Sequence, residues 1–258
     1  MIRSLKNSAA GINVQQARLD TTADNLSGAN TDGYKSQKAS FVDLLYAKMS
    51  ESGKPVLPQA DKPDLGTGTR EILKIRNFEQ GDIRETGRET DLALRGKGFF
   101  KIILPDGREA YTRSGNFKLN AERALVTEDG YSLYPDIVLP EGSQEMLVDR
   151  DGKVRVRDAA GSITELAELT VYNFANPNGL EFLGKNLYAA TEAAGPEEEG
   201  APGQEGFAEI IQKNLEASNV DITSEMTSMI ESQRNYQLNA RALRMADEMW
   251  GIANNLRK

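Results

Sequence analysis

The chain of 258 residues has no cysteine and no histidine. Without cysteine there is no disulfide framework, no thiolate nucleophile and no Cys-based zinc or iron–sulfur site. Without histidine there is no Ser-His-Asp triad, no side chain that titrates unperturbed near neutrality, and none of the commonest transition-metal ligand. An enzyme built from this chain would have to work with carboxylates, Lys, Tyr, Ser and Thr. Aromatics are scarce, with 8 Phe, 8 Tyr and 1 Trp, and hydrophobic residues make up only 39%. No apolar run approaches the roughly 18 residues that a membrane-spanning helix needs. Basic residues are outnumbered, 31 Lys+Arg against 39 Asp+Glu for a net charge of −8. That balance argues against nucleic acid, whose phosphates call for clustered Lys and Arg. Arg3 and Lys6 are followed by Ser8–Gln16, too polar for the core of a signal peptide. The expectation is a cytosolic protein or one exported without a cleaved signal.

Proline is missing before Pro55 and after Pro202, which leaves both ends free to be helical. Residues 1–27 place Ile2, Leu5, Ala9, Ile12, Gln16, Leu19, Ala23 and Leu26 at alternating spacings of three and four, a heptad seam. Gly11 inside it costs about 1 kcal/mol relative to Ala. Residues 220–257 carry a second apolar stripe: Ile222, Met226, Met229, Ile230, Tyr236, Leu243, Trp250 and Ala253. Asp221 or Thr223 can cap its start.

Between them the period changes. Strands are expected at 71–78, 91–104, 115–119, 131–134, 153–157, 169–174 and 207–215. Asp106-Gly107, Asp129-Gly130 and Asp151-Gly152 are hairpin signals. Residues 50–69 and 193–206, rich in Pro and Gly, are expected to be connectors, with Glu197–Glu199 a solvated run. The fold class expected is α+β: N- and C-terminal helices forming a coiled-coil-like pair, with a central all-β antiparallel domain. The divisions are 1–35 and 216–258 as a helical polymerisation domain, 36–70 as an extended linker or hairpin region, and 71–215 as the β-rich domain.

The segment Asp24-Asn25-Leu26-Ser27-Gly28-Ala29-Asn30-Thr31-Asp32-Gly33-Tyr34-Lys35 is a helix end followed by a tight turn. It resembles the signature of the bacterial flagellar axial proteins, with Asn25, Leu26, Asn30, Thr31, Gly33, Tyr34 and Lys35 matching and Asp24, Ser27 and Gly28 departing. Further matches follow in the family's order. They are Met1–Leu5, Phe41–Tyr46, Asp91–Phe100, Ala110–Phe117, Ala217–Asp221, Met229–Tyr236, and the pair Asp247–Met249 with Ala253–Leu256. The chain resembles the flagellar basal-body rod family, most closely its distal-rod type, with the proximal rod or another hook or rod axial subunit as the alternative.

The resemblance implies a structural subunit with no cofactor, no metal and no small-molecule substrate. It would polymerise into a rigid helical tube that carries motor torque to the hook. Implied partners are other copies of itself, proximal rod and hook proteins, the flagellar type III export apparatus and outer-membrane bushing rings. The implied location is the basal body in the cell envelope, in the periplasm or cell-wall zone. Polymer contacts are expected at Leu5, Ile12, Leu19 and Leu26, facing Met226, Ile230, Tyr236, Leu243 and Trp250. The segment 47–65 would stiffen the rod. Outside the family, acid pairs such as Glu85/Glu89 and Asp149/Asp151 leave open a carboxylate-dependent cell-wall hydrolase. Gly96-Lys97-Gly98 lacks the spacing of a phosphate loop and is expected to be a strand or turn glycine pair.

Overall fold

A computed structural model describes residues 2–43, 47–48, 64–65, 69–159 and 161–255. Most of the segment expected to stiffen the rod, 49–63, lies outside them. The chain divides into two compact units. The terminal unit takes in 1–27, 37–76 and 221–258, and the β unit 28–36 and 77–220.

The terminal unit holds two long helices. The first, α1, runs Ile2–Gly28, and α2 runs Ile222–Asn255. At about 1.5 Å per residue they reach roughly 40 and 50 Å. Asp221 caps α2: its Oδ1 accepts from the Thr223 amide at 3.0 Å and its Oδ2 from the Ser224 hydroxyl at 2.7 Å. Those bonds hold the Asp221 carboxyl below its ordinary range. Strands β1 (Gln37–Asp43) and β4 (Thr69–Arg76) pair antiparallel, with a bulge between Ser40 and Phe41. The short β2 (Ala47–Lys48) and β3 (Asp64–Leu65) form a second ladder.

In the β unit, every strand pairing among the described residues is antiparallel. The unit begins with β5 (Ile83–Glu85), β6 (Leu92–Arg95), β7 (Phe100–Ile103), β8 (Glu109–Thr112), β9 (Phe117–Leu119), β10 (Leu125–Thr127) and β11 (Ser132–Leu133). It continues with β12 (Ser143–Val148), β13 (Lys153–Asp158), β14 (Ile163–Glu168), β15 (Val171–Phe174), β16 (Glu181–Gly184) and β17 (Leu187–Ala189). It ends with β18 (Glu197–Gly200), β19 (Glu209–Gln212) and β20 (Asn214–Glu216). The largest sheet has the order β16-β17-β8-β7-β11-β10-β9, and β12-β13-β14 form a meander.

All three Asp-Gly dipeptides turn hairpins, between β7 and β8, β10 and β11, and β12 and β13. Successive strand residues point to opposite faces, and Phe99-Phe100 shows it. Phe100 joins Leu92, Leu94, Ile102, Phe117 and Leu125 in the main hydrophobic core. Phe99 joins Tyr111, Tyr172, Phe174 and Tyr188 in an aromatic cluster.

The structure corrects the expectation for Glu197–Glu199. This run is strand β18, paired along its length with β15, rather than a connector, while its three side chains are exposed, as a solvated run should be. Glu197 is further held by charge. Glu197 accepts from the Tyr111 hydroxyl and lies 3.3 Å from the buried Lys101 ammonium, which also pairs with Glu109 at 2.7 Å. Several strands too short to show a period were also not expected, among them β5, β16 and β17.

Burial first, and then the bond to Glu197, push the Tyr111 phenol well above its ordinary value of 10.0. The folded protein therefore holds this proton where the unfolded chain releases it, and stability falls as pH rises past that ordinary value. Urea unfolding from about pH 9 to about pH 11 should show this alkaline loss, and Tyr111→Phe should flatten it. An unchanged alkaline slope in Tyr111→Phe would contradict the assignment.

Candidate functional site

Two features could serve an assembly: the turn that follows α1, with what holds it, and the outward faces of the two helices.

The turn closes by backbone bonds. The Thr31 amide donates to the Gly28 carbonyl at 3.0 Å, and Tyr34 donates to Thr31 at 3.2 Å. Gly33 sits at φ +71° with its Cα against the backbone of Ser114, so a side chain there would meet both strain and backbone atoms at 2.7 Å. Asn30 and Thr31 are exposed, while Tyr34 is buried and packs on Gly28. Asn25, in the terminal unit, is buried. It brackets Gln37 by accepting from its amide and donating to its carbonyl, both at 2.8 Å, and also donates to Glu225 at 2.9 Å.

Lys35 ends the turn inside a buried charge cluster. Its Nζ donates to Glu216 Oε1 at 2.6 Å and to the Glu79 carbonyl at 2.7 Å. Glu216 Oε2 accepts from Arg113 Nε at 2.6 Å, and its Oε1 also accepts from the Gly81 amide at 2.9 Å. Arg113 also donates to the carbonyls of Gly98 (2.6 Å), Gly96 (2.5 Å) and Leu94 (3.1 Å). The side chains of Lys35, Arg113 and Glu216 are 1%, 5% and 1% exposed. Burial pushes the Lys35 ammonium below its ordinary value; Glu216 partly offsets this and Arg113 adds to it. Nearby, Asn219 accepts from the Ser36 amide at 2.8 Å and donates to the carbonyls of Asn77 and Glu79 at 2.8 and 2.9 Å.

Sequence reasoning found Lys35 but not Glu216, Arg113 or Asn219 as its supports. No local pattern marked them: Arg113 follows the short strand β8 and Glu216 sits beside Asn214 and Leu215, and a buried charge is recognised by its partners, which here lie far apart in the chain.

On the helices, α1 and α2 touch where Gly11 meets the Asn239 side chain and where Asn25 meets Glu225. A Cβ at Gly11 would lie 2.8 Å from Asn239 Nδ2, so the glycine admits that side chain. Both contacts pair numbers that descend on one helix as they rise on the other, so the helices run antiparallel. Leu5, Ile12, Leu19, Leu26 and Leu243 are half-buried, whereas Met226, Ile230 and Tyr236 are exposed. Trp250 belongs to α2, and its side chain lies outside the described residues. The buried positions include Val14, Thr21, Thr22 and Asn25 on α1 and Ser232 and Ala246 on α2.

The acid pairs have structural employment. Glu89 accepts from the Met146 amide at 3.1 Å, and Asp149 pairs with Arg155. Gly96 and Gly98 lie in the turn between β6 and β7 and present their carbonyls to Arg113.

Arg113→Lys keeps the charge but cannot reproduce the fork that serves three carbonyls. It should lower unfolding stability by about 2–4 kcal/mol, read from the urea midpoint at constant slope. A loss under about 0.5 kcal/mol, the range of surface substitutions, would count against the cluster's importance.

The family models that match follow the chain in order. "Flagella basal body rod protein" covers residues 5–35, "Flagellar hook protein FlgE/F/G D1 domain" 93–156, and "Flagellar basal body rod FlgEFG protein C-terminal" 211–256. The chain is 41% identical to the flagellar basal-body rod protein FlgG of Borreliella burgdorferi over 100% of both chains. It is 38% identical to that of Agrobacterium fabrum over 98% of both. The flagellar hook-basal body complex protein FlhP of Bacillus subtilis is 30% identical over 100% of both. A solved chain, the hook protein FlgE2 of Helicobacter pylori, aligns with 61% of this chain and 47% of its own at 16% identity and a TM-score of 0.24, too weak a likeness to inform the fold. With full-length identity to FlgG proteins and rod-family models at its start, middle and end, the chain belongs to the flagellar basal-body rod protein family as a FlgG-type structural subunit of the distal rod.

Proposed function

We propose that the subunit polymerises through helix faces that its own chain leaves uncovered. The observation that carries this is the outer face of α2. Leu238, Met245, Met249 and Ile252 are 60%, 58%, 52% and 62% exposed. At about 100° per residue they fall within an arc of roughly 60°. Met226 and Ile230, 53% and 50% exposed, add apolar surface toward the start of the helix, about 110° and 70° around from the centre of that arc. The positions turned inward, Ser232, Asn239, Leu243 and Ala246, centre roughly 120° away around the helix. An apolar face this long is costly to leave in water, and neighbouring copies can cover it.

On this reading Leu5, Ile12, Leu19 and Leu26 of α1 join Met226, Ile230, Tyr236 and Trp250 of α2 in contacts between copies. Leu243 serves partly within the subunit. The two antiparallel contacts between α1 and α2 support a coiled-coil-like pair, completed by neighbours. Contacts of one surface on a different surface of the next copy propagate without closing, as a tube requires. The residues 1–35 and 216–258 act as the polymerising part, 71–215 as the β-rich part, and 36–70 connects them, with 47–65 stiffening the rod.

The subunit acts mechanically, as a shaft carrying torque to the hook, and performs no catalysis. Its partners are its own copies, proximal rod and hook proteins, the export apparatus and, where present, outer-membrane bushing rings. It works in the cell envelope and leaves the cytosol by flagellar type III export without a cleaved signal. A chain with no disulfide to form suits that route.

Leu238→Asp and Met249→Asp, on exposed positions, should change monomer stability by less than about 0.5 kcal/mol yet abolish rod assembly and swimming. Leu19→Asp and Leu243→Asp should abolish both and also destabilise the terminal unit. Normal swimming by the Leu238→Asp and Met249→Asp strains would sink the outer-face assignment. Circular dichroism of the free monomer should show less helix than the 27 and 34 residues of α1 and α2 would give, because their ordering is completed by neighbours. Full helix in the dilute monomer would oppose that.

A further inference from the structure

We propose that the β unit is latched by its last segment, residues 209–219, and stays open until that segment is in place. The latch belongs to the β unit and is independent of the polymer contacts proposed for the helices.

The order of the chain makes the case. Lys35 comes first, Arg113 next, and the carboxylate to which both donate comes only at Glu216. The pairs are separated by 181 and 103 residues. A chain that has not yet supplied Glu216 lacks that shared acceptor in an interior where the two cationic side chains are at most 5% exposed. Removing one partner of a buried charge pair is among the costliest changes a fold can suffer. Such a chain keeps Lys35 and Arg113 in water, and so keeps the surrounding segments open.

The backbone repeats the same dependence. Strand β6 carries Leu92, Ala93 and Leu94, all fully buried, and its ladder partner is β19. Strand β5 pairs with β20. The Gly33 amide donates to the Glu216 carbonyl at 2.7 Å, and the Gly81 amide to its side chain at 2.9 Å. The Ser36 amide and the carbonyls of Asn77 and Glu79 are all served by Asn219. The early segments thus obtain the ladder partners of β5 and β6, a shared carboxylate and several backbone partners from residues 209–219. Loop closure over such separations is unfavourable until those contacts form together.

A consequence follows for any process that delivers the chain N-terminus first. Residues 28–208 gain no stable β unit on their own, and folding is released when residues through Asn219 arrive.

Pulsed hydrogen exchange during refolding of the full chain tests this. Amides of β7 and β8, which form their hairpin locally, should gain protection in the same kinetic step as those of β19 and β20. Protection of β7 and β8 in an earlier step would overturn the latch. Native-state exchange of full-length Glu216→Gln gives a second reading. Exchange at β7 and β8 should accelerate about a hundredfold, together with β6 and β19. Acceleration confined to residues 33–36, 79–82 and 209–219 would overturn it. Should Glu216→Gln fail to fold, Asn219→Ala serves in its place, because it removes hydrogen bonds but no charge. The expected result is then a uniform, about tenfold acceleration across the unit, and a purely local one contradicts the proposal.

Discussion

A single carboxylate, that of Glu216, stands between two cations where water does not reach. Removing an ion from water costs several kcal/mol even after relaxation, so this arrangement survives only with every charge answered. Lys35 and Arg113 both donate to that carboxylate, and the carbonyls of Glu79, Leu94, Gly96 and Gly98 also point at the two cations. Leu94 lies in β6, and the others in the loops before β5 and between β6 and β7. The turn after α1, the glycine turn between β6 and β7, and the end of β20 are therefore fixed by one another.

The two units divide the physical work. The β unit has a large hydrophobic core and a separate aromatic cluster of edge-to-face rings, with Tyr111 and Phe174 centroids 4.8 Å apart. It buries what it has. The terminal unit buries little on its long helices, and much of what it does bury is polar: Thr21, Thr22, Asn25 and Ser232. Short polar and small residues let the helices approach and fix their direction, while larger apolar side chains are left facing out. The low hydrophobic share of the whole chain reflects this division, since part of what would be core in a monomer is surface here.

The sequence made some of this plain and hid the rest for identifiable reasons. The three Asp-Gly hairpins and the Asp221 cap were legible because each is decided by residues adjacent in the chain. The helices were legible because a stripe repeated over many turns outweighs a single Gly11. Glu197–Glu199 was legible as solvated, and its side chains are exposed, but not as a strand, because its ladder partner β15 lies more than twenty residues earlier and the Lys101 and Tyr111 that hold Glu197 some ninety. Glu216 escaped for the same reason: nothing local distinguishes it from a solvated glutamate, and its partners lie far back along the chain. On α2, two apolar faces were present, and periodicity alone could not say which would turn inward. That choice follows from where Asn239 and Glu225 meet α1.

The chemistry of the outer face of α2 has a consequence of its own. Two of its exposed apolar side chains, Met245 and Met249, are thioethers. A methionine is unbranched and polarisable, so it adapts to neighbours that present slightly different contours, as successive copies around a tube do. The same sulfur is readily oxidised, and a sulfoxide is polar where the contact needs to be dry. On the proposed assembly, a subunit waiting in solution is thus exposed to a damage that a subunit already seated between copies escapes. For such a surface, time spent unassembled is itself a chemical hazard.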